Sequence, residues 1–141
     1  MSENKKTILF LCTGNSCRSQ IAEGWARALG SNFFTILSAG LETHGKNPRA
    51  IAVMDEVGID ISGQESTVVT DEMVKNADTI ITVCGHADEH CPAISGDQEK
   101  IHWPLSDPAK ATGTEEEITA VFRKTRDDIK QCVSEFIKNR Q

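Results

Sequence analysis

"TILFLCTGNSCRSQIAEGW", residues 7–25, changes character twice. Residues 7–12 are a continuous apolar run, as expected for a strand buried on both faces. Residues 13–18 are small or polar. Residues 19–29 then place Ile21, Trp25, Ala28 and Leu29 at helical spacing, with Gly30 as the expected C-cap. A strand leading through a short loop into a helix is the opening half of a strand–helix–strand unit.

The rest of the chain repeats the alternation. Residues 34–39, "FTILSA", read as a second strand. "NPRAIAVMDEVG" reads as a helix capped by Asn47, with Pro48 in its first turn and Gly58 beyond its end. "TDEMVKNA" is a short helix, "DTIITVCG" a third strand and "KIHW" a fourth. The C-terminal segment is a long helix whose apolar stripe runs through Ile118, Phe122, Ile129, Val133, Phe136 and Ile137. Cys132 falls on that stripe and is expected to pack in the core. The pattern predicts an α/β fold, a small doubly wound four-stranded parallel sheet flanked by helices, over residues 1–141 as one domain. In such sheets ligands sit beyond the carboxyl ends of the strands. Cys12 ends the first strand and Cys84 ends the third, so the rule brings these two thiols together.

Bulk properties narrow the function. The chain has 141 residues and a formal net charge of −6, which gives no support to nucleic-acid binding. "TILFLC" is too short for a membrane span or the apolar part of a signal peptide, so a cytoplasmic setting is expected. There the 5 cysteines are not structural staples.

The loop "CTGNSCRS" has the parts of an oxyanion site. Backbone N–H groups can turn inward around an anion, and the helix N-terminus adds more. Arg18 can clamp two oxygens with its planar fork. The same field is expected to lower the pKa of Cys12 and make it a thiolate nucleophile. Gly14 supplies backbone freedom, and Asn15 tolerates a left-handed conformation. Spacing excludes both a nucleotide P-loop and a dinucleotide fingerprint. Cys17 is either an accessory thiol or a space-filler. His44 reads as a surface residue, and Glu23 falls on the exposed side of the first helix.

Cys12, five residues, Arg18 and Ser19 resemble the C-x5-R-[ST] loop of the low-molecular-weight protein tyrosine phosphatases. The resemblance implies that Cys12 is the nucleophile. Arg18 and the amides of Thr13, Gly14, Asn15, Ser16 and Cys17 bind the anion. Ser19 supports the thiolate, and Asn15 buttresses the loop.

A phosphatase needs one thiol, whereas "TVCGHADEHCP" offers Cys84 and Cys91. Along a helix they would lie about 10 Å apart at 1.5 Å per residue, beyond the reach of a disulfide. Either the segment is not regular helix or it rearranges to bridge, which suits a relay. With "SAG", "HGKNPRA", "GIDIS" and "HWPLSDPAKATGTEEE", this segment resembles the thioredoxin-coupled arsenate reductases. That likeness implies attack of Cys12 on arsenate, with Asp107 as general acid. A Cys12–Cys84 disulfide and then a Cys84–Cys91 disulfide follow, the last reduced by thioredoxin. It implies no bound cofactor, no metal and no membrane or nucleic-acid partner.

Two other readings compete. A phosphatase acting on phosphomonoesters fits the loop, but "DPAKATG" lacks aromatic walls and the chain has no tyrosine. A metal-responsive module would use Cys84, His86, His90 and Cys91, although these lack the compact spacing of a zinc knuckle.

Overall fold

A computed structural model of the chain describes residues 5–15, 17–91 and 96–140. The predicted substrate-loop residue Ser16 lies outside them, as do Pro92 and the side chain of His86.

Four strands form one parallel sheet: β1 (Lys6–Cys12), β2 (Phe34–Gly40), β3 (Thr79–Thr82) and β4 (Glu99–His102). Their order is β2-β1-β3-β4. Continuous apolar sequence at Ile8–Leu11 produces a strand buried on both faces. Each such side chain contributes about 1.5–3 kcal/mol when withdrawn from water. Leu11 pairs with Ala39 on one side and Thr82 on the other. Strand order reverses at β1, so the crevice at its carboxyl end is the topological switch point.

The helices are α1 (Arg18–Gly30), α2 (Pro48–Asp55), α3 (Asp71–Asn76), α4 (Gly85–Glu89) and α5 (Glu115–Lys138). Right-handed crossovers put α1 and α5 on one face of the sheet and α3 and α4 on the other. Local chemistry sets the helix starts. Asn47 accepts from the amides of Arg49 and Ala50. Thr114 and Glu117 close a reciprocal capping box. Of the predicted α5 stripe, Phe122, Ile129, Val133, Phe136 and Ile137 are buried, and Ile118 is partly so. Cys132 is half-buried beside it.

Three expectations are corrected. Gly30 does not cap α1; Ser31 does, in right-handed conformation. Gly30 is needed instead for the close approach of α5, since a Cβ there would lie 2.6 Å from Ile137 Cδ1. Ala28 and Leu29 are exposed, because only the first two-thirds of α1 is covered from all sides. Glu23, expected on the exposed side, is buried, and Ser38 and Arg27 hydrogen-bond its carboxylate.

Candidate active site

Residues 12–18 wrap the carboxyl end of β1. Parallel pairing places β3 alongside, and the Val83 amide donates to Leu11 O at 3.0 Å. Cys12 and Cys84 are thereby brought together at the floor of a pocket of about 680 Å³. Thr13, Gly14, Cys17, Arg18 and Asp107 also line it.

The loop's carbonyls are committed outward. Those of Cys12, Thr13 and Gly14 accept from the amides of Leu41, Glu42 and His44 at 2.9–3.1 Å. Cys17 O accepts from Ile21 N, and Asn15 O from Gln20 Nε2. Among the described residues, the amides of Gly14, Asn15, Cys17 and Arg18 donate to no partner. Buried N–H groups without partners are rare in proteins, and those of Gly14, Cys17 and Arg18 belong to residues that line the pocket, where an anion could engage them.

Asn15 holds this shape. It sits at φ 48°, a conformation costly for most residues with a side chain. Its amide donates to Ser19 Oγ at 2.8 Å and Ser38 Oγ at 3.0 Å, and its Oδ1 accepts from the Thr67 amide at 2.7 Å. The chain of bonds continues from Ser38 to Glu23 and on to Arg27. Asn15 thus ties the loop to α1, to β2 and to the segment at Thr67. The bond seen at Ser19 runs to Asn15; among the described residues none runs from Ser19 to Cys12.

Gly14 is glycine for a different reason than expected. Its φ is not in the left-handed region. The His44 ring packs over it, and a Cβ there would meet Nδ1 at 2.4 Å. His44 is tethered by Glu42 at 2.7 Å and lines the pocket with Ser106 and Lys110. These three residues escape sequence reasoning because loop positions carry no periodicity.

Arg18 is buried. Its Nη1 donates to Val83 O at 3.2 Å and Leu105 O at 2.9 Å. Nη2 lies 3.6 Å from Asp107 Oδ2. Nε is buried with no partner, at a cost of about 1–3 kcal/mol until a ligand fills it. Nη1 thus anchors the guanidinium, and the Nε–Nη2 edge is left to grip an oxyanion. Asp107 caps the 3-10 turn at Pro108–Lys110 through the Ala109 amide, and it also lines the pocket. The turn role and the pocket role coexist.

The five cysteines are free thiols. Cys12 and Cys84 both line the pocket, close enough that each thiol shifts the other's titration. Thr13 Oγ1 lies 3.1 Å from the Cys84 sulfur, and the Ala87 amide donates to it at 3.3 Å. The neighbouring Cys12 thiol, then these two donors, pull Cys84 below the ordinary thiol range. The neighbouring Cys84 thiol and burial push Cys12 up, against the pull of Arg18. Two adjacent thiols cannot both ionise cheaply, and Cys84 has the better donors. Burial, with Asp107 nearby, pushes Cys17 up to about 12, which keeps it a neutral wall. Cys91 is half-buried beyond α4.

Among the described residues no group of three or more His, Cys, Asp or Glu side chains could hold a metal ion. Nor is any described helix long and apolar enough to cross a membrane.

Comparison with known proteins fits this geometry. The family model of the low molecular weight phosphotyrosine protein phosphatases matches residues 7–141. An arsenate reductase of Halalkalibacterium halodurans is 51% identical over 133 residues, covering 94% of this chain and 96% of that protein. An arsenate reductase solved in the phosphate binding state shares 37% identity, with a TM-score of 0.77 over 95% of this chain and 98% of that one. Another, solved in an oxidized state, shares 36% over 95% and 98%, with a TM-score of 0.80. The chain belongs to the low molecular weight phosphotyrosine protein phosphatase family, on the side of it that the arsenate reductases occupy.

Proposed function

We propose that the protein reduces arsenate to arsenite through a three-cysteine relay, with reduced thioredoxin as electron source and no bound cofactor. One observation carries this reading: Cys84 lines the same pocket as Cys12 and Arg18, so a second thiol stands beside the candidate nucleophile. A hydrolase has no use for a second thiol at that place. The names of the 51% relative and the two solved structures support the choice of arsenate.

Arsenate binds to the loop amides and the Nε–Nη2 edge of Arg18. Arg18 and the loop hold Cys12 as the thiolate while Cys84 keeps its proton. Cys12 attacks arsenic, and Asp107 protonates the departing oxygen, which leaves as water. Cys84, deprotonated with the help of Thr13 and the Ala87 amide, attacks the sulfur of Cys12. The S–S bond forms, the S–As bond breaks, and its electron pair stays on arsenic. Arsenic falls from the pentavalent to the trivalent state as two thiols become a disulfide. Cys91 then exchanges with Cys84, and thioredoxin reduces the Cys84–Cys91 bridge. Free thiols used this way suit a cytoplasmic setting.

The runner-up is hydrolysis of phosphomonoesters. Among the described residues the pocket lining contains no Phe, Trp or Tyr, and His44 is its one ring, which leaves little aromatic wall for an aryl ester. The deciding experiment is arsenate-dependent NADPH consumption with thioredoxin and thioredoxin reductase, for wild type and for Cys12→Ser, Cys84→Ser and Cys91→Ser. Turnover in wild type alone is expected. Phosphatase activity indifferent to the loss of Cys84 and Cys91, with no arsenate turnover, would favour the hydrolase.

A further inference from the structure

The segment that carries the second and third thiols is held shut by a charged contact that the steps above leave unused. Asp88, on α4 between Cys84 and Cys91, reaches in two directions. Its Oδ1 accepts from Thr82 Oγ1 at 3.2 Å and lies 3.0 Å from Lys100 Nζ. Lys100, on β4, also donates to the Asp88 carbonyl at 3.0 Å. Thr82 is fully buried at the end of β3 and pairs with His102 Nδ1 at 2.8 Å. One carboxylate thus ties the helix between the two thiols to two neighbouring strands. The Asp88 amide still closes the first helical turn onto Cys84 O at 3.1 Å.

The five-residue helix α4 lies between Cys84 and Cys91, and a disulfide needs their Cα atoms within about 7 Å. Bridging the two thiols draws on this turn, and Asp88 binds the turn to the sheet. We propose that Asp88, through Lys100 and Thr82, is a positioning residue that sets the rate of the second thiol exchange. The inference rests on the three-cysteine relay. In that step the Cys91 thiolate, its proton given to solvent, attacks the Cys84 sulfur of the Cys12–Cys84 disulfide. The Cys84–Cys91 bond forms, the Cys12–Cys84 bond breaks, and Cys12 leaves as a thiolate, with no net oxidation. The contact keeps Cys91 away from Cys84 until Cys12 has finished with arsenic, so the relay does not short-circuit. Burial raises the Cys91 thiol; Lys100 lowers it and Asp88 raises it. Removing the carboxylate charge therefore loosens the helix and favours the Cys91 thiolate together.

The test is a single turnover of the full-length reduced protein with arsenate and no thioredoxin. It is quenched in acid at intervals and the disulfides are mapped by mass spectrometry. Asp88→Asn keeps the shape and removes the charge. It should convert the Cys12–Cys84 disulfide into the Cys84–Cys91 disulfide about two- to five-fold faster than wild type, the size set by a partly exposed ion pair. Wild-type conversion should quicken as salt rises to about 0.5 M, where such pairs are screened, and the Asp88→Asn rate should be insensitive to salt. A change in packing alone would leave that salt dependence in place. Equal or slower conversion in Asp88→Asn, with the salt response retained, overturns the proposal while the relay stands. If wild type forms no Cys84–Cys91 disulfide, the relay and the proposal fall together. Lys100→Gln is a second variant should Asp88→Asn fail to fold; its conversion should also lose the salt dependence.

Discussion

Cys12 and Cys84 line one pocket, and the two halves of the reaction need each in turn as a thiolate. The surroundings pull Cys84 below its ordinary range and push Cys12 above it. A thiol lowered on folding contributes stability that grows as pH rises toward the ordinary thiol range and is lost as pH falls. Thermal melts of wild type against Cys84→Ser should therefore differ more near pH 8 than near pH 5. At the same scale, Arg18→Lys keeps the charge but removes the bidentate edge at Nε and Nη2. Its kcat/KM for arsenate should fall by about 10²–10³, comparable to the loss of an oxyanion donor.

At the scale of elements, the anion loop is shaped by what packs behind it. Gly40 ends β2 directly beneath the loop. A Cβ there would lie 2.5 Å from Glu42 O and 2.7 Å from both Asn15 N and Thr13 O. All three are backbone atoms, so none can swing aside. Gly40→Ala should cost about 1–3 kcal/mol of stability, as overpacking does, and should lower arsenate turnover by displacing the loop amides. Urea melts alongside steady-state rates test both effects. The capping box offers a control far from the chemistry. Thr114→Ala should cost about 1 kcal/mol and leave kcat and KM for arsenate unchanged.

For the whole molecule, the division of labour is between a fixed sheet and one short helix that moves. β1 is buried on both faces and paired along its whole length on the β2 side. Nothing in the relay requires it to shift. α4 has five residues and two thiols at its flanks. Oxidation to the Cys84–Cys91 disulfide should therefore abolish amide-exchange protection at Asp88 while leaving Leu9–Leu11 as protected as in the reduced protein. Exchange measured by mass spectrometry on both forms tests this. Loss of protection in β1 would show that the scaffold itself opens.

The linear pattern was enough for the parallel sheet, because a continuous apolar run such as Ile8–Leu11 has few other stable placements. It was also enough for the Cys12–Arg18 loop, whose spacing is local and whose chemistry needs no distant partner to be recognised. Tertiary structure decided the rest. Gly14 and Gly30 are small because His44 and Ile137 arrive from elsewhere in the chain. Glu23 is buried because β2 brings Ser38 to it. Cys12 and Cys84 shift each other's titration because parallel pairing sets β3 beside β1. Periodicity records which face of an element is apolar, but charge, burial and proton position depend on neighbours that only the fold brings within a few ångströms.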